Sequence, residues 1–144
     1  MKTPRSILYF PLAALLILLL ASCGKDNRCY VPIGMTNFTI EPNSAYYSGL
    51  NVVGGYMYFT GGHRGVIVVR TTYDHFAAYE RTCPADSTTA VNISEEYGSA
   101  VLECPKCHTL YVVDADGYPM DGGATTCPLY QYSTTYSGGQ LWVY

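Results

Sequence analysis

Charged side chains are scarce in this sequence: Asp, Glu, Lys and Arg together make up 13% of its 144 residues. Hydrophobic residues make up 49%, a balance that excludes intrinsic disorder over most of the chain. Positive charge is in deficit, with 8 Lys and Arg against 11 Asp and Glu and a formal net charge of −3. All the acids follow position 22, whereas Lys2 and Arg5 precede it, so the remainder is more acidic still. Without a basic surface to neutralise phosphates, nucleic acid is excluded as a partner. No apolar run reaches the ~20 residues that a helix needs to cross a bilayer core. Apolar repeats at helical spacing are equally short, and none is sustained past ten residues. Internal repeats and low-complexity tracts are missing. So are a recognisable Ser, His and acid set and a Gly-rich strand-to-helix phosphate loop, which leaves no small-molecule substrate in evidence and no signature of an enzyme. The length suits one domain with an appendage.

The appendage comes first. Lys2 and Arg5 precede the apolar run Ile7–Leu20, and small residues follow in Leu20-Ala21-Ser22-Cys23. A charged start, an apolar core of roughly 14 residues and a small-residue cut site mark a secretory signal, the other reading being a short uncleaved membrane anchor. Leu-Ala-Ser-Cys resembles the lipobox of bacterial lipoproteins. That resemblance implies removal of residues 1–22 and a covalent lipid at Cys23, on its sulfur and its new amino group. Several acyl chains of the palmitate type hold a protein stably on a membrane surface where one is marginal. The expected location is thus the bacterial cell envelope, on the outer membrane or a periplasmic face. Residues 23–30 read as a lipidated polar tether that includes Cys29, and residues 31–144 as the folded domain.

Fifteen Tyr and fourteen Gly favour strands and tight turns. Tyr56–Thr60 and Val66–Arg70 flank Gly61–Gly65 as a hairpin. Phe76–Glu80 reads as a third strand running into Cys83, Ala100–Glu103 as one running into Cys104, and Thr109–Val113 as one leaving His108. Asp116-Gly117 forms a turn, and Leu129–Thr135 with Gln140–Tyr144 forms a closing hairpin around Gly138-Gly139. Asn92–Tyr97 reads as a single helical turn and Trp142 as core. Tyr56, Tyr58, Tyr79, Tyr111, Tyr130, Tyr132 and Tyr136 are expected to pack sheet faces with their hydroxyls wet. His63 and His75 read as solvent-facing, and Asp114, Asp116 and Asp121 as turn residues. The expected fold class is all-β, a small antiparallel β-sandwich or barrel.

Two Cys-Pro loops carry the chemistry: Cys83-Pro84-Ala85-Asp86 and Cys104-Pro105-Lys106-Cys107-His108. Rigid turns that bring sulfurs to the ends of neighbouring strands suit a metal site, because the ligands converge with little freedom to move. Thioredoxin-like enzymes set Cys-x-x-Cys at a helix start, whereas β-rich segments flank Cys104 and Cys107. The pair is therefore read as non-enzymatic.

These loops, followed by Tyr111, Gly117, Gly122-Gly123-Ala124, Pro128-Leu129, Tyr132, Gly138-Gly139, Leu141 and Val143, resemble the Rieske iron–sulfur domain over about Tyr46–Tyr144. Gly61-Gly62, Val66–Arg70 and Phe76–Cys83 resemble the strand pair before its first loop. The resemblance implies an antiparallel β-sandwich whose ligand loops meet at one end. A Rieske centre takes two Cys and two His, carried as Cys-x-His and Cys-x-x-His. Cys83 and Cys104 match the cysteine positions, but Ala85 and Cys107 stand where the histidines belong, and His108 falls one residue late.

Three readings of the loops stay open. Cys83, Cys104 and Cys107 bind a metal such as zinc, with Asp86 or His108 as fourth ligand. Alternatively, Cys127, in the segment that covers the cluster in the Rieske fold, completes a four-thiolate [2Fe–2S] site that passes single electrons to a redox partner protein. In the third, no metal is bound and disulfides such as Cys83–Cys104 or Cys107–Cys127 staple a binding or structural module of the envelope.

Overall fold

The computed structural model describes residues 29–144. The signal segment 1–22, the lipidation site Cys23 and the tether as far as Arg28 lie outside the described residues. Within them the chain is all-β, with antiparallel pairing throughout. No described helix is long and apolar enough to cross a membrane.

The strands are β1 (Phe38–Ile40), β2 (Tyr56–Phe59), β3 (Val66–Arg70), β4 (Phe76–Glu80), β5 (Asn92–Ser94), β6 (Gly98–Glu103), β7 (Leu110–Val112), β8 (Gln131–Tyr132), β9 (Thr134–Ser137) and β10 (Gln140–Val143). They form three sheets, ordered β1-β10-β9, β2-β3-β4-β8 and β5-β6-β7. Short 3-10 turns occupy Ala45–Leu50 and Val113–Ala115.

The β-branched run Val66-Ile67-Val68-Val69 builds the centre. Every residue of β3 and β4 is buried, so this strand pair is covered on both faces and shows no inside–outside alternation. Successive side chains nevertheless point to opposite faces. Ile67 and Val69, opposite Tyr79 and Ala77, face one core with Val91, Leu102, Tyr111 and Leu129. Val66 and Val68 face a second core with Ile40, Leu50, Leu141 and Val143. Each fully buried aliphatic side chain contributes about 1.5–3 kcal/mol relative to exposure. The β2-β3-β4-β8 sheet therefore separates two cores, one shared with the β5-β6-β7 sheet and the other with β1-β10-β9.

The expected β2–β3 hairpin forms with Tyr56 opposite Val69 and Phe59 opposite Val66. Asp116 and Gly117 turn the chain with φ of 52° and 71°. A side chain at Gly117 would press on the Tyr79 ring, a Cβ there lying 2.9 Å from Cε1.

Four expectations need correction. Asn92–Tyr97 is not a helical turn: Asn92 and Ile93 pair with Glu103 and Leu102, and the chain reverses after a bulge at Ile93/Ser94. The Leu129–Thr135 strand is broken at Ser133, because Tyr132 pairs with Ala78 while Thr134 pairs with Val143 in another sheet. Trp142 is only partly buried, since alternation along β10 gives the core to Leu141 and Val143. Finally, Tyr79, Tyr111 and Tyr132 are buried together with their hydroxyls, which find protein partners instead of water.

Candidate metal centre

β4 ends at Glu80, and the chain runs on through Thr82 into Cys83. Glu80 is fully buried with no cationic partner among the described residues, and a carboxylate in that position is tolerable only when hydrogen bonds replace its water. It accepts the backbone N–H groups of His63 at 2.6 Å, Arg64 at 2.9 Å and Thr82 at 3.0 Å. The hydroxyls of Thr82 at 2.8 Å and Tyr132 at 2.9 Å complete the set. Burial raises the Glu80 carboxyl, but these donors outweigh it and hold the group below its ordinary value. The carboxylate thereby ties the Gly61–Gly65 turn and β8 to the start of the first cysteine loop.

In that loop Cys83 donates its N–H to Thr89 at 2.9 Å and accepts from Asp86 N at 3.2 Å. The second loop leaves β6 at Cys104. Cys104 O accepts the N–H of His108 at 2.9 Å, and Cys104 N donates to Thr109 O at 3.1 Å. His108 closes this turn in the left-handed region, with φ of 55°. The backbone N–H groups of Cys107 and Lys106 act to lower the Cys104 thiol, the direction that favours a thiolate or a metal-bound sulfur.

The sulfurs of Cys83, Cys104 and Cys107 lie within 4.8 Å of one another. Cys83 and Cys104 are fully buried and Cys107 partly so, and all three are free thiols. Cys83 Sγ is 3.6 Å from Cys107 Sγ and 3.4 Å from the buried Tyr111 hydroxyl. The hydroxyl of Thr109 is 3.2 Å from Cys107 Sγ. Burial pushes the Cys104 thiol up to about 12, against the opposing N–H groups of Cys107 and Lys106. Burial also raises Cys107, but there the Thr109 hydroxyl and N–H, with Cys104 and Cys83, win and bring it below its ordinary value. Tyr111 is raised, by burial first and then by the sulfurs.

The other candidates stand apart from the sulfurs. The Asp86 carboxylate accepts from the Thr88 hydroxyl at 2.7 Å and from the Thr89 hydroxyl, and pairs with Lys106 Nζ at 3.1 Å. These partners, the Thr89 hydroxyl first, hold it well below the usual carboxylate range. His108 is exposed, with Nδ1 3.2 Å from Glu103 Oε1, because the left-handed turn swings it outward. Cys127 is bonded to Cys29, with Cα atoms 5.3 Å apart. Both disulfide pairings expected from the sequence, Cys83–Cys104 and Cys107–Cys127, are therefore corrected. The segment that carries Cys127 is pinned by Ala124 N donating to Thr109 Oγ1 at 3.0 Å, and it delivers Cys127 to the N-terminal segment. Cys29 belongs to the domain and not to a free tether. Its signal was numerical: five cysteines follow Cys23, enough for a trio and one disulfide.

Three thiolates suit a tetrahedral ion, for which Zn–S bonds of about 2.3 Å put neighbouring sulfurs about 3.8 Å apart. A two-histidine Rieske centre does not fit, since Ala85 has no donor atom and the second position holds Cys107. A four-thiolate [2Fe–2S] site lacks its fourth sulfur among the described residues, Cys127 being in a disulfide.

No protein-family model matches the sequence, and no curated protein matches it. Among solved structures, the chain is similar to the ferredoxin of carbazole 1,9a-dioxygenase from Nocardioides aromaticivorans IC177. That match has 22% identity over 64% of this chain and 86% of that one, with a TM-score of 0.45. It is also similar to a chain in a complex of reduced oxygenase and oxidized ferredoxin in carbazole 1,9a-dioxygenase, at 24% identity over 62% and 80% of the two chains and a TM-score of 0.44.

Proposed function

We propose that this chain is a Rieske-like domain, lipid-anchored in a bacterial cell envelope through Cys23, that holds one metal ion on Cys83, Cys104 and Cys107. The convergence of those three sulfurs within 4.8 Å supports the reading most directly. Two come from one short turn closed by His108 N donating to Cys104 O, and the third comes from a separate loop tied down through Glu80. Zinc makes the centre structural, with a water or an exogenous donor as fourth ligand. A [2Fe–2S] cluster there, given a fourth ligand from outside the trio, makes it a one-electron carrier that works with a redox partner protein. In neither case does the chain itself make or break a substrate bond.

The 3.6 Å separation of Cys83 and Cys107 favours a second reading, in which these two form a disulfide and the domain is a metal-free binding or structural module.

Metal analysis of the full lipidated chain, purified in detergent under anaerobic conditions, separates the two. One ion per chain is expected, lost in Cys83→Ser and Cys107→Ser. Denatured with chelator, the unsubstituted protein is expected to expose three thiols. A metal-free protein with one thiol overturns the metal centre in favour of the disulfide.

A further inference from the structure

We propose that the apolar face around the Cys29–Cys127 disulfide lies on the lipid surface that carries the anchor. This inference rests on the reading of Cys23 as lipidated and is independent of the metal. Tyr30 is 82% exposed, Ile33 50%, Met35 98%, Tyr130 40% and Tyr144 56%. Singly such residues are ordinary, but a contiguous group marks an interaction surface. These are contiguous: two adjoining grooves share Ile33 and Tyr130, the first reaching Tyr30 and the second Met35 and Tyr144.

Among the described residues, neither groove is lined by Asp, Glu, Lys or Arg. The described side chains of this face thus oppose no acidic or basic group to a lipid headgroup, while its tyrosines pair an apolar ring with a polar tip, the composition suited to a membrane interface. Chain connectivity identifies the occupant. The disulfide fixes residue 29 at the edge of the first groove, and Cys23 lies six residues earlier. A fully extended stretch of that length reaches about 20 Å, so an anchored Cys23 keeps this face close to the bilayer. Lys25 and Arg28 outnumber Asp26 in the stretch, which favours an anionic leaflet.

The test uses the full lipidated chain in phosphatidylethanolamine–phosphatidylglycerol vesicles, with Trp142→Phe to remove the native indole. Met35→Trp and, as control on the β5–β6 turn, Tyr97→Trp report contact with lipids brominated near the headgroup. Fluorescence of the Met35→Trp chain is expected to fall by about half, with the Tyr97→Trp chain little changed. Amide exchange at residues 30–36 of the unsubstituted chain, which needs no variant, is expected to slow on vesicles. Vesicle flotation of wild type beside Cys23→Ser reads the anchor separately, and metal content reads the centre. A chain that floats through Cys23 with neither quenching nor slowed exchange overturns the lipid contact while leaving the anchor standing. A chain that does not float overturns both. A concentration-dependent blue shift of the Met35→Trp chain without vesicles assigns the face to a second copy and overturns the proposal.

Discussion

The hydroxyl of Thr109 lies 3.2 Å from the sulfur of Cys107 and also accepts the N–H of Ala124 at 3.0 Å. One buried side chain thus joins a candidate ligand to the loop carrying Cys127. Thr109→Val removes both contacts and leaves the Ala124 N–H without its partner, so a stability loss of about 1–2 kcal/mol is expected. Urea unfolding measures it.

Reactivity of the cysteines should follow their surroundings. In chelator-treated protein, Cys107, partly exposed and lowered, is expected to be alkylated before Cys104, which is buried and pushed up to about 12. Timed iodoacetamide labelling with peptide mass mapping reads the order. Thr109→Val should slow labelling at Cys107 by removing the leading hydrogen-bond partner.

Glu80 makes stability depend on acid. Its folded-state carboxyl lies below the ordinary value of 4.5, so its contribution is fully present above that pH and is lost as pH falls through the folded value. Melting temperature is expected to drop from about pH 5 downward. Glu80→Gln should flatten that decline and cost about 2–3 kcal/mol at neutral pH, where an amide N–H₂ replaces an oxygen that accepts several donors. Melting curves of both proteins across pH 3–7 decide it. Gly62→Ala is expected to disturb the same site, since φ there is +62° and the added Cβ would press on the Glu80 carboxylate.

The Cys29–Cys127 disulfide closes a separation of 98 residues. In the chain-entropy estimate a loop of that length contributes about 4–5 kcal/mol. The Cys29→Ser/Cys127→Ser protein should therefore unfold at lower denaturant concentration than wild type. Metal content equal to that of wild type would show that the staple supports the fold without forming the proposed centre.

Tyr79 donates to Val113 O at 2.7 Å within the core. Tyr79→Phe keeps the ring and leaves a buried carbonyl unpaired, and a loss of about 1–2 kcal/mol in unfolding free energy is expected.

Local patterns in the sequence determined much of this protein. β-branched and aromatic runs around Gly61–Gly65 and Gly138-Gly139 identify β2, β3 and β10, because strand propensity and turn chemistry act between near neighbours. The two Cys-Pro loops point to Cys83, Cys104 and Cys107 for the same reason, each loop being short and rigid. Only the tertiary structure decided what depends on distant segments. The break at Ser133 follows from two sheets competing for one run. Asp86 turns to Thr88, Thr89 and Lys106, and His108 swings out on a left-handed turn, neither of which residue type announces. The partner of Cys127 is Cys29 because the loop pinned on Thr109 carries it to the N-terminal segment. Spacing along a chain encodes contacts within a turn or a hairpin, whereas contacts across 98 residues depend on how the sheets stack.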